Sequence, residues 1–426
     1  MTKVYKKRIA DQMLTDKLEA MGAVLIEGPK GCGKTRTAEQ QAKSILYMDD
    51  PDHSAQYMQM AQTNIRFLLD GKTPRLIDEW QIVPKFWDAI RFEVDHRDDD
   101  GQFILTGSAV PPDRDEIHHT GTGRYGWLTM RPMSLWESGD SNGSISLGEL
   151  FNSPEQIGSS CEMPMEQLAF LVCRGGWPES IFKKSEKAAL AYVIEYYEAI
   201  THSDISRVDN IQRDEERTKR LMRSYSRHQG SQSSIQTILA DFAVNEATDI
   251  SYITINSYLN ALRKIFVIEE MPAWNPNLRS KTAIRTSDTR YFVDPSIACA
   301  ALGLGPMDLI NDLNTFGLFF ESLCVRDLRV YADALDGKVY HFRDKNGLEC
   351  DAVVHLRNGS YGLIEIKLGG ENLIEEGARN LISLSEKIDT TKMKSPAFKM
   401  ILTGVGSFAY KRKDGVYVVP IGCLKV

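Results

Sequence analysis

Short apolar runs alternate with longer amphipathic stretches over the first 150 residues. Ala23–Glu27, Ser44–Asp49, Arg75–Glu79, Gln102–Ser108 and Gly126–Met130 each read as a strand. Between them, residues 1–22, Arg36–Lys43, Gln59–Asp70 and Phe86–Val94 carry helical patterns, and Gly71 ends the third. Strands separated by helices predict an α/β domain whose parallel sheet is covered on both faces.

The pattern then changes. Asp140–Ser160 holds Gly, Ser and Asn clusters, a boundary or loop. Glu166–Arg227 is helical, interrupted at Gly175-Gly176-Trp177-Pro178, and Arg207–Arg223 is dense in both charges: a solvated face or a binding surface. Ser234–Ala240 reads as a short helix. Ile253–Phe266 reads as another, with Ile255, Tyr258, Leu259, Leu262 and Phe266 on its apolar face. Thr254, Asn256, Ser257, Asn260, Arg263 and Lys264 lie opposite. Strands start at Val267 and Arg290, with Arg279, Lys281 and Arg285 between. Helix, turn, helix and basic hairpin is the order of a winged helix-turn-helix that would read DNA with 253–266. A module that only packs domains together has the same pattern.

From about 311, Phe316–Leu328 reads as a helix and Val339–Arg343, Cys350–Leu356 and Leu363–Lys367 as strands. Helix Asn372–Ile388 and strands Phe398–Thr403 and Val416–Ile421 follow, and Asn358-Gly359 marks a hairpin turn. The expected domains are therefore 1–150 (the parallel-sheet domain), 151–228 (helical lid or linker), 229–304 (winged helix-turn-helix) and 305–426.

The chain has 426 residues, 42% hydrophobic and 26% charged, the balance of a soluble protein of two to four domains. Its net charge of −7 argues against wholesale coating of nucleic acid but allows a local basic face. Seven scattered cysteines without a C-x-x-C pair predict reduced thiols in the cytoplasm and give no zinc signature. The basic, polar start lacks the apolar core of a signal peptide, and no apolar run nears the roughly 18 residues of a membrane span.

Chemistry concentrates in two places. Gly28-Pro29-Lys30-Gly31-Cys32-Gly33-Lys34-Thr35 fits the phosphate-binding P-loop and stands between a strand and a helix, the context that motif needs. The glycines Gly28, Gly31 and Gly33 let the backbone, including that of Cys32, wrap the phosphates. Lys34 would reach the β- and γ-phosphates, and the Thr35 hydroxyl would bind Mg²⁺. Asp78 suits the metal's water shell and Glu79 a general base, although only Leu76 and Ile77 precede them as apolar strand. Thr106 and Ser108 could sense the γ-phosphate. Arg124, in a glycine-flanked loop, is a candidate arginine finger acting in trans, with Arg131 as its competitor.

The second place is C-terminal. Glu365 and Lys367 share a strand face by the period of two, and the hairpin turn brings Asp351 alongside. Glu321 lies on the preceding helix. Carboxylates at Glu321, Asp351 and Glu365 could hold Mg²⁺ while Lys367 activates water, the chemistry for cutting a phosphodiester. A solvated charge cluster on a sheet face has the same residues.

On these stretches, together with Thr120–Leu135, Gly175–Pro178, Leu221–Tyr225, Trp274-Asn275-Pro276 and Phe292–Pro295, the chain resembles predicted prokaryotic AAA+ superfamily ATPases with a C-terminal domain of unknown function. The resemblance covers essentially the whole chain. It implies an AAA+-like ATPase domain, a winged-helix-like middle and a C-terminal restriction-endonuclease-like PD-(D/E)xK fold. It carries ATP binding onto Gly31, Gly33, Lys34, Thr35 and Asp78, and a nuclease-like site onto Glu321, Asp351, Glu365 and Lys367. For the family's second sensor arginine only Arg174 offers itself. The expectation is an ATPase using ATP and Mg²⁺, coupled to DNA engagement with metal-dependent cleavage, working without a membrane and as a homo-oligomeric ring if Arg124 acts in trans. A nucleotide-switched scaffold with an inactive nuclease-like domain is the alternative, and a transcriptional regulator a third class.

Overall fold

The structure, a computed structural model, describes residues 4–97, 99–107, 120–209, 211–243, 251–275 and 287–426. Ser108, Arg279, Lys281 and Arg285 lie outside the described residues. The chain divides into two compact units: Met1–Pro132 with His202–Arg213 and Asn260–Val267, and Met133–Thr201 with Asp214–Leu259 and Ile268–Val426.

The first unit runs α1 (Ile9–Ala20), β1 (Ala23–Glu27), α2 (Lys34–Gln41), β2 (Ser44–Tyr47), α3 (Ser54–Asn64), α4 (Arg66–Leu69), β3 (Arg75–Asp78), α5 (Phe86–Arg97), β4 (Phe103–Gly107) and β5 (Tyr125–Thr129). Its five strands are all parallel, in the order β2-β3-β4-β1-β5. Alternation decides the layers. Leu25, Ile77 and Leu105 join Trp80, Phe86 and Ile90 in one core. Val24, Ile26, Leu76 and Ile104 join Ala10, Leu14, Leu18 and Ala38 of α1 and α2 in the other. All five expected strands are present, and the apolar stretch before Asp78 suffices because β3 is buried between β2 and β4.

The second unit opens with α6 (Leu135–Ser138), β6 (Ile145–Ser146), α7 (Leu147–Leu150) and β7 (Ser159–Ser160), followed by α8 (Met165–Arg174), α9 (Pro178–Ile181) and α10 (Glu186–Ala199). α11 (Ile205–Arg207) belongs to the first unit, and α12 (Glu215–Arg227), α13 (Ile235–Ala243) and α14 (Tyr252–Lys264) follow it, the residues of α14 from Asn260 onward again counting with the first unit. The chain continues as α15 (Pro295–Leu302), α16 (Pro306–Asn311), α17 (Leu313–Ala334), β8 (Gly337–Arg343), β9 (Glu349–Leu356), β10 (Tyr361–Lys367), α18 (Glu371–Lys387), β11 (Phe398–Thr403), β12 (Phe408–Lys411), β13 (Tyr417–Pro420) and β14 (Leu424–Lys425). A seven-stranded sheet has the order β7-β12-β13-β11-β10-β9-β8. Leu381 and Leu384 of α18 pack on Val353, Leu363, Ile401 and Val418.

Three expectations shift. Residues 133–150 belong with the second unit instead of the P-loop unit, because Met133 N donates to Gly176 O at 2.6 Å and β6 pairs with β14. The Ser-rich stretch before α8 is not only linker: Ser159–Ser160 pair with β12, itself a strand the apolar pattern did not show. The helix expected over 253–266 ends at Lys264, and Phe266 adopts a left-handed φ of 58° in the turn that follows. Ile255, Tyr258, Leu259 and Leu262 are buried as the apolar face requires. Among the described residues, the segments beyond meet as short antiparallel bridges, Ile268–Phe292 and Met271–Thr289. Ala273 also bridges His341 of β8 in parallel.

Candidate functional site

Glu27 ends β1 at the edge of the sheet where the P-loop begins. Gly28 has φ 150°, and a Cβ there would lie 2.1 Å from Met130 O, so only glycine lets the loop pass this close to the residue after β5. Gly31 and Gly33 also have positive φ, and Gly33 leads directly into α2. Lys34 is buried, its ammonium donating to Gly28 O at 2.8 Å and Pro29 O at 3.0 Å. These carbonyls hold the lysine along the loop that a phosphate would occupy. Cys32 contributes backbone only: its side chain is fully buried and its carbonyl accepts from Arg8 at 2.7 Å.

Parallel register brings the ends of β3 and β4 beside that loop. Thr35 Oγ1 donates to Asp78 Oδ1 at 2.8 Å, and Thr106 Oγ1 donates to the same oxygen. Burial pushes the Asp78 carboxyl up from its ordinary value, against the two hydroxyls. Glu79 follows in a left-handed turn, φ 53°, with its carboxylate accepting from Gln81 Nε2. Burial raises the Glu79 carboxyl too, which favours a group that must take up a proton. Thr35 and Asp78 fit Mg²⁺: a hydroxyl and a carboxylate oxygen converge beside a phosphate-binding loop.

Arg124 stands elsewhere. Its carbonyl accepts from Ala23 N, so it lies at the start of β5, one strand length of about 13 Å from the P-loop edge. Its side chain pairs with Asp95 at 2.7 Å. Arg131 follows β5 at the P-loop edge, and its carbonyl accepts from Arg8 Nη2 at 2.9 Å. Arg8, a buried residue in a basic leader, thus ties the P-loop to the segment after β5, and neither apolar periodicity nor the motif pointed to it. Gln81 is a second residue missed, though it is only two positions from Glu79.

In the second unit, Asp351 Oδ2 accepts from Ile366 N at 2.7 Å and from Lys367 Nζ at 3.4 Å. Lys367 Nζ lies 2.7 Å from Glu365 Oε2. The ammonium therefore bridges two carboxylates that the β9–β10 hairpin aligns. Glu365 is 1% exposed, and its Oε1 has no hydrogen-bond partner. Burial, then the Asp351 charge, lifts the Glu365 carboxyl to about 8. Burial pulls Lys367 down, but Asp351 and Glu365 outweigh it and hold the ammonium above its usual range. Glu321, also raised to about 8 by burial and the Asp351 charge, accepts from the Tyr291 hydroxyl. Among the described residues, no group of three or more His, Cys, Asp or Glu is arranged to hold a metal ion. Lys367 stands where a cation shared by Asp351 and Glu365 would sit.

A third cluster is structural. Arg326 Nη1 lies 2.9 Å from Asp294 Oδ2 and Nη2 2.7 Å from Asp327 Oδ1, all three side chains being buried. Asp294 also accepts from Gly176 N and Ser296 N, and Asp327 from Leu135 N. The stretches around Met133–Leu135, Gly175–Pro178 and Phe292–Pro295 thus meet at one arginine. Its signal was an Arg-Asp pair inside the apolar run Leu323–Leu328. Arg174 is buried too, paired with Asp140 at 2.7 Å.

Comparison with known proteins agrees with this layout. The profile of a family described as an AAA domain matches residues 21–138. A domain of unknown function (DUF8612) matches 165–308, and another (DUF4143) matches 316–424. The parallel sheet, the P-loop and this match define the N-terminal part as an AAA-type domain, a nucleotide-binding class. Among curated proteins, the chain is similar to Uncharacterized protein Rv2008c of Mycobacterium tuberculosis (strain ATCC 25618 / H37Rv), 22% identical over 382 residues, 89% of this chain and 78% of the relative. Uncharacterized protein Mb2031c of Mycobacterium bovis (strain ATCC BAA-935 / AF2122/97) matches with the same figures. Among the described residues, no helix is long and apolar enough to cross a membrane.

Proposed function

We propose that the chain hydrolyses ATP at the P-loop and uses the nucleotide state to govern DNA engagement by its second unit. The observation that carries the first half is the Thr35–Asp78 hydrogen bond of 2.8 Å beside the glycine loop. Lys34 supplies positive charge to the phosphates. Mg²⁺, held by Thr35 with Asp78 in its water shell, would neutralise charge developing on the transferred phosphoryl group. Glu79 orients and deprotonates the attacking water, and Gln81 fixes its carboxylate. Lys34→Ala is expected to abolish nucleotide binding. Glu79→Gln is expected to keep binding and lose at least about 100-fold in turnover. Normal hydrolysis by Glu79→Gln would remove Glu79 as the base.

Support for DNA as the partner is the succession of α13, α14 and bridged extended segments, elements in the order that a winged helix-turn-helix requires. Support for phosphodiester cleavage is the alignment of Asp351, Glu365 and Lys367 across one hairpin. The bridging Lys367 favours a second reading, a nucleotide-switched scaffold that binds DNA or protein and cuts nothing. A Mg²⁺-dependent cleavage assay on varied DNA separates the two. Cleavage lost in Asp351→Ala and Lys367→Ala supports the nuclease, and identical cleavage by wild type and both variants sinks it.

A further inference from the structure

A loop that wraps an anion turns its N–H groups inward and its carbonyls outward. Outward carbonyls that are buried need donors from the surrounding protein. At Cys32, which is fully buried, that donor is Arg8: its Nη1 donates to Cys32 O at 2.7 Å. The same guanidinium donates through Nη2 to Arg131 O at 2.9 Å, beyond the end of β5. Arg8 is itself buried beside the loop.

The peptide unit carries this contact to the inside of the loop. Cys32 C=O and Gly33 N–H belong to one planar trans unit and point in opposite directions. Pinning the carbonyl toward Arg8 therefore aims the Gly33 N–H away from Arg8. Among the described residues, Gly33 N donates to no acceptor, while Gly33 O accepts from Thr37 N at 3.0 Å as α2 begins. An unpaired amide at the start of a helix suits a phosphate.

The guanidinium works from a fixed base. Arg8 N donates to Asp11 Oδ2 at 2.8 Å, and the Tyr5 hydroxyl donates to Asp11 Oδ1 at 2.6 Å. Tyr5 Oη also lies 2.9 Å from Thr37 Oγ1 of α2. The segment before α1 is thus fastened to the helix that follows the P-loop. Arginine fits the place because its planar fork presents donors in set directions, whereas a lysine ammonium is a point charge on a flexible stem.

We propose, on the reading of the P-loop as an ATP site, that Arg8 is a positioning residue: it holds the Cys32–Gly33 peptide so that the Gly33 N–H donates to a phosphate of the bound nucleotide. Arg8 acts through the backbone and takes no part in the chemical step. The Gly33 contact is made alike before and during phosphoryl transfer, so its loss raises KM and spares kcat.

The test compares full-length wild type with Arg8→Met, which keeps most of the side-chain volume, and Arg8→Lys, which keeps the charge. In Arg8→Met, ADP affinity by calorimetric titration is expected to fall about 10–100-fold, the worth of one hydrogen bond to a charged group. KM for ATP is expected to rise by a similar factor, with kcat within about threefold of wild type. Arg8→Lys is expected to lose at least about fivefold in ADP affinity, because one ammonium does not hold both carbonyls as the fork does. In wild type, ADP is expected to slow hydrogen exchange at the Gly33 amide, and to do so much less in Arg8→Met. Wild-type affinity in folded Arg8→Met or Arg8→Lys would overturn the role, as would a fall in kcat with KM unchanged. A Gly33 amide left unprotected in ADP-bound wild type would overturn it even if both variants fail to fold. No binding of ADP or ATP by wild type would sink the ATP reading, and this role with it.

Discussion

Replacing Arg326 with methionine keeps most of the side-chain volume and removes the charge between two buried carboxylates. Arg326 donates to Asp294 at 2.9 Å and to Asp327 at 2.7 and 2.8 Å. The variant strands Asp294 and Asp327, each fully buried, with only amide and hydroxyl donors left. Breaking a buried pair in this way costs about 3–5 kcal/mol. Protonation sets a ceiling. A carboxyl of ordinary pKa 3.8 costs about 4 kcal/mol to keep neutral at pH 7 and about 2 kcal/mol at pH 5. The penalty should therefore shrink as pH falls, the signature of a stranded charge. The Leu135 and Gly176 amides donate to these carboxylates, so hydrogen exchange over 133–137 and 174–178 reports the change directly. We expect exchange to accelerate about 10²–10³-fold at pH 7, and clearly less at pH 5 after correction for intrinsic rates. Acceleration below about tenfold at pH 7, or an effect equal at both pH values, would refute a charge-centred role for this network.

Three further outcomes follow from the geometry. Gly28→Ala should weaken ATP binding at least about 100-fold, because its Cβ would collide with Met130 O at 2.1 Å, and calorimetric titration showing unchanged affinity would contradict the loop conformation. Burial lowers His341 from 6.5 to about 4, so the neutral ring's contribution is whole above pH 6.5 and is lost as pH falls toward 4, up to about 3 kcal/mol. Urea unfolding across that range should show the loss in wild type and much less of it in His341→Gln. Arg124→Ala removes an exposed pair with Asp95 and should change stability by less than about 1 kcal/mol. Turnover at low protein concentration should be unchanged, and a fall there would show that the arginine serves its own P-loop.

How much was legible follows the range of the interactions. The five strands of the first sheet, α18 and the β9–β10 hairpin were visible, because alternation, helical period and the Asn358-Gly359 turn are properties of neighbouring residues. The P-loop was visible for the same reason: its glycines answer to local backbone angles and its lysine to one spacing. The alignment of Glu365 with Lys367 needed only the period of a strand. Strands β7 and β12 escaped because they are short, and one lies in a Ser-rich stretch whose pairing partner is more than 200 residues away.

The sequence by itself determined that a P-loop motif stands between a strand and a helix, and that carboxylates follow at the end of a later strand. Tertiary structure decided which of them meet. Placing β4 between β1 and β3 aims Thr35 and Thr106 at the same Asp78 oxygen, while parallel register carries Arg124 to the far end of its own sheet and leaves Arg131 at the near one. Arg326 gathers three distant stretches, and Lys367 settles between Asp351 and Glu365. The physical reason is that propensity and periodicity act over a few residues, whereas a buried charge is tolerable only beside a partner that folding alone brings into place.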